Sequence, residues 1–479
     1  MEKKVLIKRL VLILVGMVLL VAIAIGIRYL MAYNGFLDKI TAHEPEMKRY
    51  SVVVLNDSEI ENEKDLVDKH VGFLKTDPKA ANAGQKLSEI VRVEIDYYDD
   101  IDTLVGALEN SIADAIVIES DRFEMFKDEK ENSLDAEDAK DTTQVEEIEM
   151  VDSDNSLNNS AVNDAVTTVG YYDEEDVGDG IIHNDEMISE SFEKMRVIYT
   201  FGVELDSDDM DISNKRITTE PFVLYISGSD SRAGIRATAR SDVNILAVVN
   251  PKQGKILLVS IPRDTYVQLH DTVGLKDKLT HAGVYGIDMS KRTIEDFLGI
   301  DIDYTLKVSF ETVIDVVDQL DGIDIESDRE MTLKPEGGGV CEYVKGKQHV
   351  NGVCALRFAR ERKSYETGDK HRGENQQQVI VSIIGRLSGS KDYILKIPTI
   401  LDIAGDSFET TISRDNVSDF IRMQLLDGVN WKTESISVDG DGAYEPTYSM
   451  GSSLPLYVMI PYEDSMTGVK EKINEYLGD

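Results

Sequence analysis

Eighteen consecutive residues, Leu10–Ile27, carry no charged or polar side chain. Such a run is strongly disfavoured in water and so dictates the topology of the rest of the chain. As a helix it reaches about 27 Å, and Tyr29-Leu30-Met31 extends it to roughly the 30 Å of a bilayer core. Lys3, Lys4, Lys8 and Arg9 precede it, whereas Arg28 and Lys39 are the nearest cations after it. The positive-inside rule therefore predicts a cytoplasmic tail over residues 1–9 and a single-pass membrane anchor over 10–32. Everything later is expected on the outer face. Ala22-Ile23-Ala24 is a weak cleavage cue, but the apolar stretch exceeds the about 7–15 residues of a signal-peptide core.

Charge narrows the partners next. Fifty-one Lys and Arg stand against ninety Asp and Glu, a net −39. A chain that acidic repels nucleic acid, so no nucleic-acid partner is expected, and any cluster of arginines needs a reason. Cys341 and Cys354 are the only cysteines, both beyond the anchor. A disulfide in an oxidising compartment and two small buried thiols are both open readings.

Residues 33–205 read as an accessory α/β domain. Val52–Leu55, Val71–Leu74 and Ala115–Ile118 are short apolar strands, and Val91, Val93 and Ile95 alternate. Ile101, Leu104, Val105 and Leu108 share a helical face. No ligand constellation is visible there, and the domain's partner is not legible. An acidic, Ser- and Asn-rich stretch over about 127–191 interrupts the domain and has the composition of a disordered insertion.

A linker over 206–220 leads to a second α/β domain at 221–390, followed by a C-terminal α/β extension over 391–479. Phe222–Ile226, Val243–Val249 and Lys255–Ile261 are expected strands. Lys291–Leu298 is an expected helix ending at Gly299, and Phe310–Leu320 is another, beginning after Ser309. Gln376–Leu387 is the next, with Gln376 at its start, and a last helix covers Val469–Leu477. Strands alternating with helices on both sides of a sheet predict an α/β layered fold.

Charged residues recur where these strands begin and end. The first ends in Ser227-Gly228-Ser229-Asp230-Ser231-Arg232, the second is entered through Arg240-Ser241-Asp242, and the third ends in Ser260-Ile261-Pro262-Arg263-Asp264. Lys278, Arg360-Glu361-Arg362 and Asp369-Lys370-His371-Arg372 come later. Loops at strand ends converge on one crevice. Arginine is the residue for planar, bidentate recognition of phosphate oxygens. Asp230 and Asp242 are short carboxylates of the kind that hold Mg²⁺ beside phosphate. A single arginine after a strand is usually a surface ion pair; the ordered set points elsewhere. Ser227, Ser229 and Ser231 lack the Gly-x-Ser-x-Gly pattern of a nucleophile elbow, and His281 reads as structural.

From about Pro221 to Leu387 the chain resembles the LytR-CpsA-Psr domain, carried by bacterial phosphotransferases that attach glycopolymers to the cell wall. The resemblance rests on Gly-x-Asp-x-Arg at 228–232, Arg-Ser-Asp at 240–242, Ser-Ile-Pro-Arg-Asp at 260–264, Asp-Lys-Leu-Thr-His-Ala at 277–282, Gly346–Ala359 before the paired arginines, and Asp369-x-x-Arg372. It implies a layered αβα fold around a mixed sheet, in which Asp230 and Asp242 hold Mg²⁺. It implies that Arg240, Arg263, Arg360, Arg362 and Arg372 grip a pyrophosphate, helped by Lys278 and Gln376. Arg263, Arg372 and Asp369 become the candidate catalytic groups, with Asp369 orienting Arg372 or taking the acceptor's proton. The implied substrate is a polyprenyl-pyrophosphate-linked glycopolymer, and the implied acceptor is peptidoglycan. The alternatives are a polyprenyl-pyrophosphate hydrolase and a non-enzymatic membrane regulator or transcription attenuator. One departure stands out: the family usually has a further arginine where Asn375 precedes Gln376 and Gln377.

Overall fold

The computed structural model describes residues 46–126, 191–205, 213–229, 234–334, 339–365, 368–393 and 407–478, with 396 and 400. The expected anchor at 10–32 lies outside them, as does nearly all of the acidic stretch at 127–191. Among the described residues no helix is long and apolar enough to cross a membrane. The chain separates into two compact units, one of Ser51–Asp77 with Ile90–Tyr199, the other of the remainder.

A first five-stranded sheet runs β3-β2-β4-β1-β5, where β1 is Met47–Leu55, β2 His70–Leu74, β3 Glu94–Tyr98, β4 Ala115–Glu119 and β5 Met195–Glu204. Strand β2 pairs parallel with both β3 and β4. Val52, Val53 and Val54 are fully buried, and every residue of β4 is buried. Such continuous apolar runs suit strands covered on both faces. The helix Ile101–Glu109 (α1) starts where the Asp100 carboxylate accepts the Thr103 N–H. It buries Ile101, Leu104, Val105 and Leu108, the expected face. The expected strand around Val91 begins at Glu94 instead, since Ile90 still ends the preceding helix.

The second unit is built on six strands: β6 Phe222–Ser229, β7 Val243–Asn250, β8 Lys255–Ser260, β9 Tyr304–Ser309, β10 Phe408–Thr410 and β11 Lys432–Ser437, in the order β10-β9-β6-β7-β8-β11. Strands β6, β7 and β8 form an antiparallel meander, β9 lies parallel to β6, and β11 lies parallel to β8. The sheet is therefore mixed, as the family resemblance implies, and both edge strands come from beyond residue 390.

Alternation sorts the side chains into two cores. Val223, Tyr225, Leu246, Val248, Leu257 and Val259 pack with Ile294 and Leu298 of the helix Ile287–Leu298 (α2) and with Val469, Ile473 and Tyr476 of a C-terminal helix. Phe222, Ile245, Ala247, Val249, Ile256 and Leu258 pack on the opposite face with Ile380, Ile384, Phe420 and Trp431. Helices thus cover both faces of the sheet, a three-layer arrangement. Fully burying each such side chain contributes about 1.5–3 kcal/mol.

Two further helices matter for the site. Phe310–Gln319 (α3) starts directly after β9, capped by the Ser309 hydroxyl accepting the Thr312 N–H. Gly352–Ala359 (α4) is capped by Asn351 and tied by the Cys341–Cys354 disulfide to a short hairpin. This settles the open reading of the two cysteines. The next helix, Gly368–Gly389 (α5), corrects the sequence expectation, because it begins two turns before Gln376. Residues 368–375 are almost all polar, so apolar periodicity does not announce those turns.

Candidate functional site

Register places the C-terminal ends of β6, β8, β9 and β11 and the N-terminal end of β7 on one edge of the sheet. Ser229 lies opposite Ser309, Gly228 opposite Val243, and Ser260 opposite both Ile245 and Ser437. Arg240, Asp242, Arg263 and Asp264, which adjoin these strands, therefore collect at that edge. The close fit depends on glycines. A Cβ on Gly228 would lie 2.9 Å from Val243 Cβ, and one on Gly283 would lie 2.4 Å from the Ala239 carbonyl. One on Gly373 would lie 2.7 Å from Ser260 Oγ, so the bare Cα lets α5 pack on the end of β8 without displacing that hydroxyl.

Asp242 sits at the centre. Its carboxylate accepts a hydrogen bond from Arg263 Nη1 at 2.8 Å, and both side chains are 21% exposed. Burial pushes the Asp242 carboxyl up, but the Arg263 and Arg240 charges, the Arg263 hydrogen bond and the Arg372 charge outweigh it. The result lies below the ordinary carboxylate range. Three arginines from three separate stretches of chain therefore act on one ionised carboxylate.

The surroundings hold this group in place. Asp242 N–H donates to the Gly228 carbonyl at 2.9 Å, and Ser241 N–H to the Thr280 carbonyl at 3.0 Å. Beneath them Ser241 Oγ meets Ser227 Oγ at 2.8 Å and Asn244 Oδ1 at 2.9 Å, while Tyr225 OH donates to Asn244 Oδ1 at 2.6 Å. Buried polar groups satisfied in this way rigidify the edge. Arg263 Nε lies 3.6 Å from Asp264 Oδ2, and Lys278 Nζ lies 3.4 Å from Asp264 Oδ1. Asp264 and Lys278 are each only 7% exposed at the side chain, so Asp264 joins the two cations out of water. His281 is buried and pairs with Asp277 at 2.6 Å, while Ser449 donates to the other oxygen of Asp277. That is a structural triad, as the sequence reading of His281 has it.

The remaining candidates divide. Arg360 ends α4 and lies 4.9 Å from the centre of the Phe310 ring, where α3 leaves the same sheet edge. Gln376 lies one turn beyond Arg372 in α5, half-buried, not at the helix start. Arg362 is half-buried, and its carbonyl accepts the Tyr365 N–H at 3.1 Å. Among the described residues no hydrogen bond or ion pair ties Arg362 or Gln376 to Asp242. Asp230 lies outside the described residues, and so does the side chain of Asp369. Asn375 is 2% exposed and donates to the Phe358 carbonyl at 3.1 Å, pinning α5 to α4. Gln377 donates to Leu258 O at 3.1 Å and to Ile436 O at 2.7 Å, clamping α5 over β8 and β11. Motif reading names neither the Gln377 clamp nor the Gly373 contact; the polar Asn-Gln-Gln run inside an otherwise amphipathic helix was their only trace.

Mg²⁺ would find a suitable donor among the described residues in the ionised Asp242 carboxylate. No group of three or more His, Cys, Asp or Glu side chains with ligand geometry occurs among them. Mg²⁺ commonly takes one or two carboxylates and completes its shell with water and substrate phosphate, so the donor chemistry fits.

Comparison with known proteins places this edge in context. A relative from Bacillus anthracis, named polyisoprenyl-teichoic acid–peptidoglycan teichoic acid transferase TagU, is 31% identical over 238 residues, covering 50% of this chain and 75% of its own. TagV of Bacillus subtilis (strain 168), named for the same activity, is 30% identical over 264 residues, 54% of this chain and 65% of its own. The crystal structure of B. subtilis TagV is 29% identical and covers 54% of this chain and 98% of its own, with a TM-score of 0.46. The family described as LytR_cpsA_psr matches residues 197–456, more than half of the chain. This chain belongs to the LytR_cpsA_psr family.

Proposed function

We propose that the chain is a phosphotransferase that moves a glycopolymer from a polyprenyl-pyrophosphate carrier to peptidoglycan through a phosphodiester link. The observation that carries this reading is the convergence of Arg240, Arg263 and Arg372 on Asp242 in a chain of net charge −39. The names of the relatives, transferases of teichoic acid to peptidoglycan, support the class of donor and acceptor.

An acceptor hydroxyl attacks the phosphorus nearest the sugar, forming the new P–O bond. The bridging P–O bond breaks, and polyprenyl phosphate leaves with the electron pair. The acceptor's proton passes to a base, for which Asp369 is the assignment. Arg263 and Arg372 meet the charge that shifts along the pyrophosphate, and Arg240, Lys278, Arg360, Arg362 and Gln376 orient it. Asp242 and Asp230 would hold Mg²⁺, which when bound would supply neutralisation of phosphate charge.

The topology belongs to the same proposal: an anchor over 10–32 puts this edge on the outer side of the cell membrane. The Cys341–Cys354 disulfide is consistent with an oxidising compartment. The test is a purified full-length chain given a labelled polyprenyl-pyrophosphate-linked glycopolymer with Mg²⁺ and peptidoglycan. Label in the wall polymer, together with release of polyprenyl phosphate, is the expected result. Free glycopolymer phosphate formed at the same rate without acceptor would sink the transferase reading in favour of hydrolysis.

A further inference from the structure

Arg240 lies on the irregular connection between β6 and β7, so something other than a sheet ladder must hold it. On its C-terminal side Ser241 bonds Thr280, against the bare Cα of Gly283. On its N-terminal side the chain is held by residues far away in sequence. Met47 N–H donates to the Arg236 carbonyl at 3.0 Å, Thr238 N–H donates to the Met47 carbonyl at 3.3 Å, and Met47 and Ala237 form an isolated parallel bridge. Lys307, near the end of β9, reaches up from the sheet to donate from Nζ to the Ala237 carbonyl at 3.0 Å.

A lysine that is 8% exposed needs a counter-charge, and Glu46 supplies it. Glu46 Oε1 accepts from Lys307 Nζ, and the Glu46 side chain is 13% exposed. Its other oxygen accepts the Ile287 N–H at 2.9 Å at the start of α2. Gly286 makes room for it, since a Cβ there would lie 2.8 Å from Glu46 Oε2. The carboxylate is thus bonded on both oxygens, and its charge holds Lys307 aimed at Ala237, three residues before Arg240.

We propose that Glu46 is a positioning residue for the site: through Lys307 it fixes the segment 236–241 and with it the placement of Arg240 beside Asp242. The proposal rests on reading the arginine cluster as a pyrophosphate site. Removing one partner leaves the other charge buried and uncompensated, which is the costly way to break such a pair. Lys307 then turns away, and the Ala237 carbonyl loses its donor.

Two measurements on the full chain separate this role from plain structural support. Hydrogen exchange is followed at the Thr238 and Ser241 amides in wild type, Glu46→Gln and Glu46→Asp. Glu46→Gln keeps the shape but loses the charge, and exchange at both amides should quicken about tenfold, with β7 and β8 still protected. Glu46→Asp should recover part of the protection. Unchanged exchange at those amides in Glu46→Gln overturns the proposal. The second measurement is binding of geranylgeranyl pyrophosphate. Glu46→Gln should weaken it about tenfold in the otherwise wild-type chain and leave it unchanged when Arg240 is already alanine, because coupled residues are not additive. An equal loss in both backgrounds overturns the proposal, since Glu46 would then act elsewhere. A wild-type chain that ignores geranylgeranyl pyrophosphate refutes the pyrophosphate reading instead, and the exchange result still decides the coupling. Should Glu46→Gln fail to fold, Glu46→Gln/Lys307→Met removes the buried charge altogether and still deprives Ala237 of its donor.

Discussion

The two sheets of this protein share a construction and differ in what they do with charge. Around the first sheet several cations pair in the open. Lys75–Asp99 is 68% and 80% exposed at the side chains, and Arg92–Asp68 is 77% and 58% exposed. His70 sits between Glu94 and Asp96 in the same way. At the edge of the second sheet Arg263, Asp242, Asp264 and Lys278 are all 21% exposed or less. Exposed pairs are screened and contribute little, whereas charges withdrawn from water must be held by their neighbours and by whatever binds. The α/β fold is common to both sheets, and buried charges also occur around the first, at Lys48, Asp77, Glu119 and Arg122; what is particular to the second is that its withdrawn charges are the family's motif residues, gathered at strand ends.

The largest expected effect tests that contrast directly. Arg263→Lys and Arg372→Lys keep the charge and lose the planar fork, and each should lower the transfer rate by about 10²–10³, roughly 3–4 kcal/mol, with melting temperatures near wild type. Near-normal rates in folded variants would put these arginines on a par with Arg92. Next comes the disulfide. Replacing Cys341 and Cys354 with serine opens a link spanning 13 residues and should cost about 3 kcal/mol of unfolding free energy in denaturant titrations. A smaller change than that of a single exposed pair would mean that the hairpin is held by its apolar contacts alone.

A third, smaller effect depends on pH. Asp242 has a lowered pKa in the folded chain, so its stabilising contribution is complete above the ordinary carboxylate value of about 3.9 and fades as pH falls through the lowered value. The gap in melting temperature between wild type and Asp242→Asn should hold from pH 7 to 5 and close only in stronger acid. A gap that closes near pH 6 would contradict the electrostatic picture. The smallest effect belongs to the first sheet. Arg92→Ala and Lys75→Ala should leave the melting midpoint unchanged, and Asp96→Asn should return His70 from its raised pKa, due mainly to the Asp96 hydrogen bond, toward the ordinary histidine value in an NMR titration. A clear fall in the melting midpoint from either cation variant would erase the distinction between the two sheets.

Strand and helix cores are local in origin, which is why Val52–Leu55, Val243–Val249 and the stripe from Phe310 could be read directly from period and caps. The motif residues could be read too, since Arg240, Asp242 and Arg263 flank those strands. Other features left no periodic trace. The first two turns of α5 are almost wholly polar, so Arg372 could be placed on a helix only once Gly373 was seen against Ser260 and Gln377 against β8 and β11. Glu46 carries no motif and meets Lys307 across 261 positions.

By itself the sequence determined most of the element types, a layered α/β class, and an ordered set of arginines and aspartates at strand ends with the family they signal. These depend on side-chain period, capping and residue chemistry, all of which act within a few positions of the chain. Only the tertiary structure decided which of those charges meet. The register of six strands, two of them from beyond residue 390, puts the strand ends on one edge. The close approaches allowed at Gly228, Gly283 and Gly373 then bring three arginines within electrostatic reach of one carboxylate. Coulomb interaction and desolvation depend on distance and burial, and neither is a property of position along a chain.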